Sequence, residues 1–151
     1  MTSKDEFHDK EYRQAYADSF LDTWIATQLR VLREQRNLTQ SQLAVLAEMK
    51  QSRISTMENV NYSNWSLQTL KRLSHALDLP LFVSWGTYGE LLELSGGMSR
   101  QTLRRARFEE DPAFKSESDP DLPVTLAAKS SQTKVIDATT LFALNEARKI
   151  A

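Results

Sequence analysis

Residues 38–58 read LTQSQLAVLAEMKQSRISTME. Two short apolar-spaced runs lie here only a few residues apart, and each opens on a glutamine, Gln40 and Gln51. Thr39 with Gln42 three residues on has the form of a capping box, in which a hydroxyl and an amide each satisfy the other's backbone N–H. The first run is therefore predicted to be a helix from Thr39 to about Ala47, with Leu43, Ala44 and Ala47 inward. The second is predicted to be a helix over 51–58, with Ile54 and Met57 inward. A helix that only packs has no need of an amide at its first turn. A helix whose end is aimed at a nucleic acid does.

The flanks extend the helical pattern. Tyr12, Tyr16 and Phe20 fall four apart and predict a helix over 8–20. Ile25, Leu29 and Leu32 predict another over 22–36, stopped at Asn37, a residue that tolerates the left-handed turn ending many helices. Ser66 caps a predicted helix over 67–77, whose stripe is Leu67, Leu70, Leu73 and Leu77, and Pro80 ends it. LFVSW, residues 81–85, is rich in apolar and aromatic residues and reads as one short β-strand. A lone strand leaves its ladder groups unpaired, so its partner is expected from a second copy of the chain. Phe82 and Trp85 then belong to a dimer seam rather than to a core. All four glycines fall in residues 86–107, with a helix predicted at 99–107. Three of the four prolines, with many Ser, Asp and Glu, fall in the stretch read as a flexible linker. The tail DATTLFALNEARKIA has a capping Asp and an apolar side from Leu141, Phe142 and Leu144. The expected organisation is an N-terminal helical arm (1–21), a helical domain (22–79), a strand plus helix for dimerisation (80–107), a linker (108–135) and a C-terminal amphipathic helix (136–151).

Composition narrows the function. The chain has 151 residues, of which 40% are hydrophobic and 26% charged, as in ordinary globular proteins. It has no cysteine, so disulfides and thiolate chemistry are excluded. No apolar run approaches the roughly 20 residues that span a bilayer. MTSKDEFHDKEYR lacks the apolar stretch of a secretion signal, and a cytoplasmic protein with no membrane partner is expected. His8 and His75 are isolated, so no metal is expected. There is no glycine-rich phosphate loop, no G-x-S-x-G and no paired-carboxylate arrangement. Neither an enzyme nor a cofactor is expected. The net charge is only −1, yet residues 24–77 carry seven Lys/Arg against three Asp/Glu. A polyanion-binding face and an ordinary solvated surface both fit that count.

LREQRNLTQSQLA, KQSRISTMEN and SLQTLKRLSHALDL together resemble the helix-turn-helix family of lambda-type repressors and Cro, the XRE-like regulators. The resemblance covers about residues 22–79. It implies an all-α fold, a compact bundle of four to five helices. To this bundle the residue pattern adds the N-terminal helix, the short strand and the C-terminal extension. It also implies that the helix at 51–58 enters the DNA major groove, where each base pair shows a distinct donor and acceptor pattern. On that helix Gln51, Ser52, Ser55 and Thr56 are the candidate base readers, with Thr56 suited to a thymine methyl. Arg53 takes either guanine or phosphate, according to the orientation of the helix. Gln40 is expected to bind phosphate and brace Gln51. Lys50, Asn59, Asn61, Tyr62 and Asn64 are the further phosphate candidates. The resemblance pairs Arg33 with Glu58 as an ion pair joining the first and third helices. One position departs from the pattern: Glu48 stands where the turn usually has Gly. Either Glu48 adopts a positive φ or the turn is built differently.

The function implied is sequence-specific DNA binding by a transcriptional regulator, a repressor acting as a homodimer on a palindromic operator. The alternative is an antitoxin that autoregulates its operon and binds a toxin through residues 137–150. SRQTLRRAR, 99–107, fits two roles equally: a second phosphate-binding element, or a basic helix packed on an acidic neighbour.

Overall fold

Residues 4–115 are described in the computed structural model. Among them are six α-helices: α1 (Lys10–Gln35), α2 (Gln40–Leu46), α3 (Gln51–Met57), α4 (Leu67–Ala76), α5 (Tyr88–Gly96) and α6 (Arg100–Leu103). Single 3-10 turns occur at Lys4–His8, Phe108–Glu110 and Pro112–Phe114. The fold is an all-helical bundle. The two helices predicted at 8–20 and 22–36 are one, α1, about 39 Å long at 1.5 Å per residue. No Pro or Gly interrupts the stretch, so no local signal stops the helix between its two apolar patterns. Asp9 starts it, accepting the Tyr12 N–H at 2.9 Å.

The core is built from the predicted inward faces. Leu29 and Leu32 of α1 meet Leu43, Ala44 and Ala47, Ile54 and Met57 of α3, and Leu73 and Leu77. Leu43, Ile54 and Met57 are fully enclosed. Two residues of the predicted stripe fall outside the core: Leu70 is partly exposed on the wall of a groove, and Leu67 is half exposed at the first position of α4. Side chains tilt toward a helix's N-terminus, so Leu67 points past the end of the bundle.

Three helices end in the same way. Asn37, Glu48 and Asp78 follow the C-caps of α1, α2 and α4 with φ of 54°, 53° and 51°. In each case the next residue's N–H reaches back to the helix: Leu38 to Arg33 O, Met49 to Ala44 O, Leu79 to Ser74 O. This is the Schellman closure, and its usual apolar lock is present. Leu38, Met49 and Leu79 each pack against the core. None of the glycines adopts a positive φ; the left-handed positions go to Asn, Glu and Asp instead. At Glu48 the strain is compensated in part by α4, where Arg72 donates to the Glu48 carbonyl and stands 3.9 Å from its carboxylate.

The strand predicted at 81–85 does not form, and no strand occurs among the described residues. β-propensity is realised only by pairing, and the segment's neighbours in sequence are helices α4 and α5. Phe82, Val83 and Trp85 stand 86%, 75% and 104% exposed. The glycine-bearing stretch after it contains a helix that its composition concealed. α5 begins with a capping box, Thr87 with Glu90, and Gly96 sits at its last turn. The helix predicted at 99–107 closes at Leu103. Beyond it Gln35 binds the Arg105 backbone on both sides, its Nε2 donating to Arg105 O at 3.0 Å and its Oε1 accepting Arg105 N–H at 3.2 Å. Those two bonds replace the helical ones. Arg100 pairs with Glu34 at 2.5 Å, and Leu103 is buried. Hydrogen bonds from Arg30 and then Arg100 hold the Glu34 carboxyl below the usual carboxylate range. For Arg100 the acidic-neighbour role is therefore the one realised. At the other end of α1, Phe7 makes edge contacts with Tyr12, Tyr16 and Tyr88, and Arg13 lies 5.8 Å over the Tyr88 ring. Of the predicted linker only the part to Lys115 is described; the amphipathic helix predicted at 136–151 lies outside the described residues.

Glu48→Gly should keep or raise stability. It relieves a left-handed strain of roughly 1 kcal/mol, leaves the Arg72 bond to the backbone carbonyl in place, and removes only an exposed, distant ion pair. Thermal unfolding followed by circular dichroism should show an unchanged or higher Tm; a clear drop contradicts the strain argument.

Candidate nucleic-acid interface

The interface is assembled by two short helices and the turn between them. The Thr39 capping box is formed: Thr39 Oγ1 accepts Gln42 N–H at 3.2 Å and Gln42 Oε1 accepts Thr39 N–H at 2.8 Å. It sets Gln40 on the first turn of α2. The Glu48 turn then reverses the chain, and Lys50 is the N-cap of α3, extended and with no side-chain capping bond. Gln51 is thereby the first residue of α3.

Burial of Ile54 and Met57 dictates which residues of α3 face out. At about 100° per residue, the side opposite them carries Ser52, Ser55 and Thr56, with Gln51 at one border and Arg53 at the other. All five are exposed. Thr56 donates its hydroxyl to Ser52 O at 2.9 Å, which turns its chemistry toward the methyl group. Ser52 and Ser55 hydroxyls donate no hydrogen bond among the described residues. Arg53 leans the other way, onto α4, with its guanidinium 3.1 Å from Thr69 Oγ1. Thr69 is buried and also receives the Ser66 hydroxyl at 2.8 Å. Four of the predicted base readers thus share one open face, and Arg53 marks its edge.

Gln51 is braced. Its Nε2 donates to Gln40 Oε1 at 2.9 Å, and Gln40 Nε2 donates to Glu58 Oε2 at 3.0 Å. Glu58 is held in turn by Arg33, whose Nε and Nη2 donate to its two oxygens at 2.5 and 2.9 Å. The side chains of Arg33 and Glu58 are 12% and 4% exposed. The bond to Glu58 raises the Arg33 pKa above its ordinary value, against the opposing effect of burial. Arg33 also donates to Leu38 O at 2.8 Å, so one guanidinium ties α1, the α1–α2 turn and the end of α3 together. A bidentate pair of this kind adds geometric definition as well as energy.

The phosphate candidates divide. Lys50 is exposed and makes no ion pair among the described residues. Asn59 accepts Asn61 N–H at 2.9 Å with its side-chain oxygen, which leaves its NH2 group outward. Asn61 and Asn64 are exposed. Tyr62 is occupied within the loop: its hydroxyl donates to Asn64 O at 2.6 Å, and its ring meets Trp65 edge-on at 4.8 Å against the core. Two residues that shape the interface carry no sequence signal of it. Thr69 and Arg72 of α4 reach α3 and the Glu48 turn only through the tertiary fold.

Residues 24–81 match the family model described as a helix-turn-helix domain. Over this segment the chain is similar to helix-turn-helix domains. Such a domain supports DNA binding and a regulatory role, with α2 and α3 as the motif's two helices. The match covers less than half of the chain. Neither curated proteins nor solved structures gave a match to the chain. Among the described residues no group of three or more His, Cys, Asp or Glu is placed to hold a metal ion, and no helix is long and apolar enough to cross a membrane.

Glu58→Ala should destabilise the domain by about 1–3 kcal/mol, because the largely enclosed Arg33 guanidinium loses its carboxylate and keeps only Leu38 O and the more distant Glu34. Urea unfolding monitored by tryptophan fluorescence measures this; a loss under 1 kcal/mol contradicts a structural role for the pair.

Proposed function

We propose that the helix-turn-helix domain reads a specific DNA sequence as a lambda-repressor-like, XRE-type transcriptional regulator with no enzymatic activity. The observation that carries the reading is the open polar face of α3, with Gln51, Ser52, Ser55 and Thr56 exposed beside Lys50. Such a face offers amide and hydroxyl groups, and a methyl, to base edges in the major groove. Lys50 and the Asn side chains of the 59–64 loop supply the contacts to phosphate that fix position without carrying sequence information.

The reading extends to a homodimer on a palindromic operator. Two recognition helices related by a two-fold axis meet half-sites about 34 Å apart. Exposed Phe82, Val83 and Trp85 support self-association, since contiguous apolar surface marks interaction sites. Occupancy of an operator overlapping a promoter makes the regulator a repressor, working in the cytoplasm. An antitoxin would use the same domain together with residues 137–150, which lie outside the described residues. Co-purification of a second protein that is lost on truncation after residue 115 separates that reading from the plain regulator.

Selection of bound fragments from a random DNA pool tests the central claim. A palindromic site with half-sites one helical turn apart is expected; enrichment of no sequence overturns it. Against the selected site, Gln51→Ala should relax preference at one base pair by about 1–3 kcal/mol. Lys50→Ala should instead weaken all sequences alike and flatten the salt dependence of binding. Titrations at several salt concentrations distinguish the two, and a sequence-selective effect of Lys50→Ala contradicts its phosphate role.

A further inference from the structure

An apolar groove of about 540 Å³ lies where α1 and α4 meet the stretches 79–83 and 105–111. Its floor is the core face of the two helices, where Leu29, Leu32, Leu73 and Leu77 are buried. Trp24 and Leu70 stand partly exposed above that floor, and the exposed Phe82 and Val83 extend the wall. The size falls within the roughly 300–1,000 Å³ of small-molecule pockets, which form readily between the helices of bundles. No residue of α2 or α3 lines the groove, so it is separate from the polar face of α3. Trp85 does not line it either, so the groove and the tip of the 81–85 segment are distinct surfaces.

Four polar side chains line the groove: Gln28, Ser74, Arg105 and Asp111. Gln28 Nε2 donates to Leu103 O at 3.2 Å, and the Ser74 hydroxyl donates to Lys71 O at 2.9 Å. Each therefore has an oxygen acceptor, not a donor, left for an occupant. Arg105 and Asp111 carry opposite charges, and neither makes an ion pair among the described residues. A charged occupant would gain from one and lose against the other. The apolar walls would repay none of the hydration it gave up. An uncharged occupant avoids that cost.

We infer that this groove is a binding site for a small uncharged molecule with an apolar, ring-containing body and one hydrogen-bond donor, an N–H or O–H that meets the Gln28 oxygen. The rings of Trp24 and Phe82 suit an aromatic body, since aromatic pairs contact in offset or edge-on geometry with a gain beyond the area they bury. The site goes beyond the DNA-binding reading and stands independently of it.

The probe is N-phenylnaphthylamine, which is uncharged, carries one N–H and brightens in apolar surroundings. Titrated into the full chain, it should give a saturable fluorescence rise that Leu70→Arg abolishes with little change in Tm. Leu70 lies outside the buried core, so a charged side chain there blocks the groove while the fold is kept. Val83→Arg, at a position that is already exposed, supplies the same block should Leu70→Arg fail to fold.

Two relatives of the probe test the chemistry. Anilinonaphthalenesulfonate adds a negative charge to the same rings and should bind about tenfold more weakly. Benzylnaphthalene replaces the N–H by CH2 and should compete about fivefold less well than the probe itself, and Gln28→Leu should bring the two within about twofold of each other. No saturable rise, or one that both blocking variants leave in place, overturns the site. Equal binding of the sulfonate overturns its uncharged class, and a fivefold gap that survives in Gln28→Leu overturns the donor contact. Sedimentation in the same buffer covers the rival occupant: a native dimer that excludes the probe, and that Val83→Arg turns into a monomer, gives the groove to a second copy and overturns the inference.

Discussion

The interface hangs on one enclosed ion pair. Arg33 projects from the last turns of α1 and Glu58 caps the end of α3, and their bidentate contact fixes the distance and rotation of α3 relative to the longest helix of the bundle. Enclosing two charges has a desolvation cost that hydrophobic packing alone would avoid. What the pair supplies is direction. Leucines and a methionine can hold a short helix in place, but they tolerate small rotations and slides. Two parallel N–H···O bonds do not. The seven residues of α3 are too few to be stable as an isolated helix, so their orientation must come from the fold.

The same economy governs the turns. Three left-handed residues close α1, α2 and α4, and none is glycine. Each is followed by an apolar residue that reaches back to the core, which fixes where the chain goes next. At Glu48 this matters most, because the turn sets the angle between the two motif helices. Arg72 from α4 binds the carbonyl there, and Arg53 from α3 binds Thr69. The fourth helix therefore buttresses the motif at both the turn and α3, while the polar face of α3 stays open.

The segment after the domain is attached rather than central. Residues 100–108 run beside α1 and the end of α4, with Gln28 donating to Leu103 O at 3.2 Å, Gln35 gripping the Arg105 backbone, and Asp78 accepting Phe108 N–H at 3.2 Å. Beside this strap lies an apolar groove of about 540 Å³, walled by Trp24, Ile25, Leu70, Leu81, Phe82 and Val83 among others. The groove borders the most exposed aromatic residues of the described chain, on the 81–85 segment that carries the proposed dimer contact.

The residues by themselves determined the helices of the motif, their inward faces and the caps that start them, because periodicity and capping are local: Thr39 and Gln42, Ser66, and the spacing of Leu43, Ile54, Met57 and Leu73 are enough. They also marked Gln51, Ser52, Ser55 and Thr56 as a polar set on one helix. The box at Thr87–Glu90 was equally local, and was masked only by the glycines around it. What no window of sequence contains is the outcome of competition between distant groups. LFVSW has the composition of a strand, but a strand is a property of a pair. Arg53 has the chemistry of a base reader, and one hydrogen bond to Thr69, sixteen residues away, leans its guanidinium toward α4. The helix begun at Arg100 ends where the Gln35 side chain captures the next backbone groups. Only the tertiary structure decided these, and only it joined Arg33, Glu58, Gln40 and Gln51 into one directed line, since hydrogen bonding between residues far apart in the chain depends on where the packed core brings them.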